Sequence, residues 1–262
     1  MTEFWRSTAL THLEARRSCQ ENTCYRVHTH DALSIGVIDA GDSLLAGPLD
    51  GTIPLEAGDI VVIPAGQAHA CNPDRSRWLH RMVHLDQSWG ASLLPDPDHS
   101  PLFDGISVFR RPGLHALLTA LTDAVFADPS EDRLAQLFRD ALTGLEQAAP
   151  VYRVTAEVDP ELLEELRPVL SRLLMEEVNP SLDELASSLD MTKFQLIRAV
   201  RRTTGLPPLA WRQNARIVRA RHLLREGRSI ADTANDMGFV DQSHFHRVFR
   251  AHVATSPGEY RR

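Results

Sequence analysis

One lysine stands among the 28 basic residues of this 262-residue sequence; the other 27 are arginine. GC-rich coding produces the same bias, so arginine content does not by itself point to phosphate recognition. Cysteine is scarce too, and Cys19, Cys24 and Cys71 form an odd, unpatterned set. That set excludes a disulfide framework and fits a reducing compartment. No apolar run approaches the ~20 residues needed to cross a bilayer, and the opening MTEFWRSTAL lacks a secretory apolar core. The expectation is a cytoplasmic protein without a membrane partner.

Hydrophobic residues make up 43% of the chain and charged residues 24%, as in globular proteins. The net charge of −7 is unevenly spread: residues 1–160 carry −10, residues 161–262 carry +3, and Met191 onward carries +9. An acidic half is joined to a basic tail. A positive face on the C-terminal part predicts a polyanion partner.

The first hundred residues read as short strands between turns. ALSIGVID and IPLEAGDIVVIPAG mix β-branched residues with Gly, Pro and Asp, and WLHRMVHLD alternates between two faces. A sandwich or small barrel follows from that pattern. Two helical periods come next, at about 112–126 and 132–146, joined by DPSED. This hairpin (112–146 overall) is either a lid over the barrel or a dimer interface. Two prolines and no sustained period mark 147–159 as a linker, and Asp159-Pro160 opens a helix as N-cap and first-turn proline. The expected domains are thus 1–146 and 160–262.

The C-terminal part is a repeat. PSLDELASSLDMTKFQLIRAV has the form helix, tight turn, helix, with capping boxes at Ser181/Glu184 and Thr192/Gln195 and a stop at Gly205. Leu182, Leu185 and Ala186 form the buried face of its first helix. The unit recurs 48 to 49 residues later, with Ala234 matching Ala186, Arg247 matching Arg198 and Phe249 matching Val200. The second turn is one residue longer. A duplicated helix-turn-helix, at about 181–203 and 229–252, is a far more specific signal than one copy. The connector from Ala210 to Glu226 would span roughly 26 Å, placing the two second helices roughly 34 Å apart, one turn of B-DNA. Arg212, Arg216 and Arg219 share a face of that connector, with Arg221, Arg225 and Arg228 beyond, available to phosphates or simply solvated.

On the first recognition helix Leu196, Ala199 and Val200 face inward. Lys193, Phe194, Gln195, Ile197, Arg198, Arg201 and Arg202 are left outward. Arg198 could pair with guanine, Gln195 could address adenine, and Phe194 and Ile197 could meet thymine methyls. On the second, Phe245, Val248 and Phe249 face inward, while Gln242, Ser243, His246 and Arg247 face the groove or its phosphates. The stretch SIADTANDMGFVDQSHFHRVFRAHVATSPGEYR resembles the C-terminal signature of the AraC/XylS family of bacterial transcription regulators. The residues that carry the likeness are Gly238-Phe239, Ser243, Phe245, Arg247, Phe249 and the closing Ser256, Pro257, Tyr260, Arg261. Ala254 departs from it, where the family usually has glycine. The resemblance implies promoter binding by two tandem helix-turn-helix motifs and often recruitment of RNA polymerase.

Twelve histidines, by contrast, are plentiful, and His28 and His30 occupy alternate positions of an apolar run. If that run is a strand, both imidazoles leave one face. HTH at 28–30 and GDIVVIPAGQAHACN at 58–72 resemble the two motifs of the cupin barrel. In the second, Gly58, Pro64-Ala65-Gly66 and His69 match, and the usual trailing asparagine would fall one position after Asn72. In the first, the glutamate expected after the second histidine is replaced by Ser34 or Ile35. His28, His30 and His69 remain as candidate ligands, with His80, His84 or Cys71 as a fourth. Three imidazoles suit zinc, nickel or iron. The same residues, with His84, could instead line an organic effector, and this is the preferred reading. A cupin metalloenzyme is the remote alternative; the missing acidic ligand and the lack of an acid–base pair argue against catalysis.

The fold class expected is α+β and multidomain. It combines an N-terminal cupin-like β-barrel with a helical hairpin and a C-terminal all-α domain of two helix-turn-helix motifs joined by a long helix. The function expected is a DNA-binding regulator, possible as a homodimer, controlled by a small molecule or a metal.

Overall fold

The computed structural model describes residues 2–20, 25–47, 51–73, 77–155, 159–176, 178–253 and 255–261. Ala254, the departure from the family pattern, lies outside them. Contacts divide the chain into two units, residues 1–25 with 29–156, and residues 157–262 with the short segment 26–28.

The first unit is built on β1 (Thr2–Arg6), β2 (Glu14–Gln20), β3 (Leu33–Ala40), β4 (Asp42–Ala46), β5 (Thr52–Glu56), β6 (Asp59–Ile63), β7 (Ala70–Pro73), β8 (Trp78–Leu85), β9 (Gly105–Arg110) and β10 (Tyr152–Thr155). These form a seven-stranded sheet, in the order β1-β2-β8-β3-β6-β9-β10, and a three-stranded sheet, β5-β4-β7. Every pairing is antiparallel. Short α1 (Gln87–Ser92) follows β8, and α2 (Pro112–Phe126) and α3 (Glu131–Glu146) form the hairpin.

Side-chain alternation sorts the large sheet into two faces. Ala15, Ile35, Val37, Ile60, Val62 and Val83 pack on Leu118, Leu121, Phe138 and Leu142 of the hairpin. On the other face Ile38, Val61, Ile63 and Val108 pack on Leu45 and Leu55 of the small sheet. β3 is covered on both sides, so Leu33 to Ile38 are apolar or small and buried throughout. The hairpin therefore lies on the sheet's outer face, and the space between the sheets is the interior of the barrel. Arg17 and Arg81, on the outer face, both reach Asp123 of α2 and tie the hairpin down electrostatically.

The segment 147–159 is not free chain throughout. Tyr152–Thr155 pairs antiparallel with β9 as the edge strand of the large sheet. Four residues between prolines are too few to show a period, which is why the sequence alone reads as a linker there.

The second unit holds α4 (Pro160–Met175), α5 (Leu182–Ser187), α6 (Lys193–Thr204), α7 (Pro208–Arg225), α8 (Ile230–Asp236), α9 (Gln242–Val253) and α10 (Pro257–Arg261). Leu166, Val169 and Leu173 of α4 pack on Leu185, Ala186, Leu196 and Val200, forming the core of the first reader. The second is aromatic: Phe239, Phe245, Phe249 and Tyr260 form a chain of ring contacts 5.1–5.4 Å apart. The α7 connector has 18 residues, about 27 Å of helix.

Two connector arginines are buried against the protein itself. Arg212 is 1% exposed and donates to the carbonyls of Leu173, Glu176 and Val178, closing the C-terminal end of α4. Arg221 donates from Nε to the Tyr260 hydroxyl at 3.1 Å and lies over that ring. Helical spacing alone cannot separate a buried clamp from a solvated cation. Arg212→Met is expected to leave those carbonyls unsatisfied and cost about 2–4 kcal/mol. Urea denaturation of the full chain measures this; a change below about 0.5 kcal/mol would place Arg212 among ordinary surface residues.

Candidate functional site

Inside the barrel, the 58–69 turn brings His30 and His69 together. Gly66, at a φ of +80° that favours glycine, donates its N–H to the His30 carbonyl at 2.8 Å. The Ala65 N–H is held by Gln87 Oε1 at 2.7 Å. His28, His30 and His69 then offer ligand atoms that all lie within 4.8 Å of one another. The His84 ring stands 4.6 Å from that of His30 and the His69 ring 5.1 Å. Three of the four predicted effector residues, His30, His69 and His84, are thus neighbours within the first unit.

Hydrogen bonds set the tautomers. His28 Nδ1 lies 2.8 Å from the Arg26 carbonyl and His69 Nδ1 2.9 Å from the Gln67 carbonyl. A carbonyl only accepts, so each ring donates from Nδ1, and in its neutral form carries the lone pair on Nε2. Neutral imidazoles with Nε2 lone pairs are what a divalent transition ion takes. The donor set therefore fits zinc, nickel or iron, although no carboxylate stands among the three. Burial holds His69 down to about 4, reinforced by the charge of Arg16 and opposed by the Gln67 bond. His84 is fixed by Ser34 at 2.8 Å.

The other proposed ligands do not join this group. His80 shares a face with His84 but stacks on Trp78, ring centroids 3.9 Å apart. Burial pushes the Cys71 thiol up to about 12, so it is no thiolate at neutral pH.

In the second unit the two turns superimpose by sequence. Asp190 and Gly238 each adopt the left-handed conformation, φ 53° and 66°, and the next N–H bonds Ala186 O and Ala234 O respectively, both at 3.0 Å. The register is 48 residues up to there and 49 from the N-caps Thr192 and Asp241 onward. Val240 is the inserted residue, and it is 88% exposed.

Exposure then sorts the recognition helices. On α6, Lys193, Phe194, Gln195, Arg198, Arg201 and Arg202 are exposed; Ile197 and Ala199 are half-buried. On α9, Gln242, Ser243 and Arg247 are exposed. Arg198 and Arg247, 49 positions apart, are both exposed and without an ion pair among the described residues. Three predicted contacts change character. Gln195 Oε1 accepts from the Thr192 N–H and hydroxyl, both at 2.8 Å, so its amide oxygen serves the cap and not adenine. Lys193 is ion-paired to Asp183 at 3.0 Å. His246 is half-buried with its Nε2 enclosed, because the ring turns edge-on to Phe245. Arg250, which falls outside the sequence-based set, is exposed and matches Arg201 in the 49-residue register.

A barrel built to hold a small molecule and two readers built for duplex DNA define a ligand-responsive transcription regulator. Residues 11–166 match the model of the AraC-like ligand binding domain, and residues 185–262 match that of a helix-turn-helix domain. The arabinose operon regulatory protein of Salmonella typhimurium is 28% identical over 223 residues, covering 78% of this chain and 74% of that protein. YbfI of Bacillus subtilis, an uncharacterized HTH-type transcriptional regulator, is 27% identical over 240 residues, 89% and 86% of the two chains. The structure of unsaturated fatty acid bound wild-type ToxT from Vibrio cholerae has the same fold, with a TM-score of 0.56 at 14% identity over 95% of this chain and 94% of that one. The chain belongs to the AraC/XylS family of DNA-binding transcription regulators, with an N-terminal effector-binding domain.

Burial of His69 sets a pH dependence. Unfolded, it binds its proton near 6.5; folded, near 4. Between these values the unfolded chain holds more protons, so stability falls as pH drops below 6.5. From pH 7 to pH 5 the wild type should lose about 2 kcal/mol more than His69→Leu in urea denaturation. Equal losses would show that the buried ring protonates freely.

Proposed function

We propose that this chain is a cytoplasmic regulator that reads a promoter through α6 and α9 and whose activity is set by a small molecule bound between its two sheets, beside His30, His69 and His84. The observation that carries the DNA half is the equivalent placement of Arg198 and Arg247, both exposed and without an ion pair, on capped recognition helices 49 residues apart. Phe194, 71% exposed, adds an apolar contact for thymine methyls. Arg201, Arg202 and Arg250 supply phosphate contacts, as do Gln242 and Ser243.

The relatives favour an organic effector: an arabinose regulator and a fatty-acid-bound ToxT share the architecture. Because α2 and α3 lie on the outer face of the sheet rather than between the sheets, the hairpin is read as a dimerisation element and not a lid. Ligand binding changes how that face packs and thereby how the readers are presented. Contact with RNA polymerase completes the proposal. Among the described residues, no helix is long and apolar enough to cross a membrane.

Binding of the full chain to a duplex selected in vitro tests the assignment. Arg198→Ala and Arg247→Ala should each weaken it by about 10- to 100-fold, with unchanged thermal stability, and wild-type affinity should fall steeply with salt. Unchanged affinity in both variants would refute the groove assignment.

A second reading makes a transition metal the effector, on the strength of the His28, His30 and His69 cluster. It predicts that zinc, nickel or iron raises the melting temperature of the wild type and that His30→Ala abolishes the rise while sparing DNA binding. If none of the three metals shifts the wild type, this reading falls.

A further inference from the structure

The two readers differ in one pair of charges beside the recognition helix. Arg202, in the last turn of α6, lies 3.5 Å from Asp159, the N-cap of α4. The Asp159 carboxylate has two tasks: Oδ1 accepts the Leu162 N–H at 3.1 Å, and Oδ2 faces the Arg202 guanidinium. Among the described residues Asp159 is the only ion-pair partner of Arg202.

The pair is not needed to dock α4 on α6. Leu166, Val169 and Leu173 of α4 are fully buried against Leu196 and Val200. The Arg202 and Asp159 side chains, by contrast, are 66% and 37% exposed, and an exposed ion pair adds little to stability. The second reader does without it. Pro160 and Pro208 open α4 and α7 in the same place, 48 positions apart. The residue before Pro208 is Pro207, which makes no side-chain cap and carries no charge. In the 49-residue register of the recognition helices, Arg202 corresponds to Ala251. Cation and carboxylate are therefore both present in one reader and both absent from the other.

The location of the pair relates it to nucleic acid. Arg202 follows Arg198 by one helical turn, and both border a hollow of about 500 Å³ beside Leu162 of α4. Four residues of helix advance about 6 Å, so a DNA strand within reach of Arg198 brings a phosphate within reach of Arg202. That phosphate must displace a carboxylate already in place and approach its negative charge. We propose that Asp159 is an electrostatic brake on the first reader, holding Arg202 in the free protein and weakening its engagement with the DNA backbone. A phosphate contact carries no sequence information, so the brake acts on any duplex. Non-specific binding is supplied by such contacts, and Asp159 thereby limits the time the first reader spends on unrelated DNA. The proposal rests on the reading of α6 as a recognition helix and adds a residue that tunes it from outside that helix.

A double-mutant cycle in the full chain tests it, with the duplex selected in vitro and an unrelated duplex, at about 50 mM and about 200 mM salt. Asp159→Asn keeps a side-chain oxygen for the Leu162 N–H, and asparagine caps helices as well as aspartate, so the melting temperature should hold. The variant should bind both duplexes about three- to fivefold more tightly at the lower salt, and the gain should shrink at the higher. Asp159→Ser, a second uncharged cap, should behave alike and keeps the test decisive if the first variant is poorly folded. In an Arg202→Ala background the gain should vanish, which a role confined to capping α4 would not produce. The proposal is overturned if neither neutral variant binds DNA more tightly than the wild type. It is also overturned if the gain persists without Arg202, or if it is confined to the selected duplex. Should the brake fail while Arg198→Ala still weakens binding, the assignment of α6 stands and only the role of Asp159 falls. If Arg198→Ala is also without effect, the assignment of α6 falls with it.

Discussion

The pairing register of β8 is the constraint on which the sensor unit depends. This strand bonds to β2 on one side and β3 on the other. Its alternation sends Val83 and Leu85 under the hairpin and Trp78, His80, Met82 and His84 into the barrel. A slip of one residue would exchange the two sets, burying Arg81 among the barrel-facing residues and turning the imidazoles toward helix side chains. The apolar half of the strand fixes the polar half. The interior chemistry, from the His84–Ser34 bond to the stack of Trp78 on His80, is held in place by hydrophobic contacts on the opposite face.

The DNA-binding unit solves a related problem with buried arginine. A long connector must hold two helix pairs at a set separation, and its own apolar residues, Ile217, Ala220 and Leu224, offer a narrow contact stripe. Arg212 and Arg221 extend that stripe with directional bonds, one closing α4 and the other seated on Tyr260. The connector therefore draws on the same residue type that stands exposed at Arg198 and Arg247 on the recognition helices.

Much of this architecture is legible from residue patterns. The duplicated helix-turn-helix, the hairpin and the mixed character of WLHRMVHLD all follow from periodicity and caps, because these are local properties. What escapes local reading is partnership. In EARRSCQ, Arg16 and Arg17 look alike; only the pairing of β2 with β8 sends one into the barrel and the other to Asp123. Gln195 reads as both a cap partner and a base reader, and the backbone geometry of Thr192 decides for the cap. Arg212 and Arg216 share a helical face by spacing, yet one is a clamp because the end of α4 lies beside it. The strand at 152–155 is too short to announce itself without its neighbour β9.

Val240 has a consequence of its own. The single extra residue before α9 means that the two readers are near copies that cannot be exchanged by any rotation of the unit. Their exposed residues differ as well: Phe194 in one corresponds to Ser243 in the other. A molecule with two unlike heads on one rod has a front and a back. The DNA-binding unit is thus asymmetric within a single chain, and that asymmetry is set by one inserted residue.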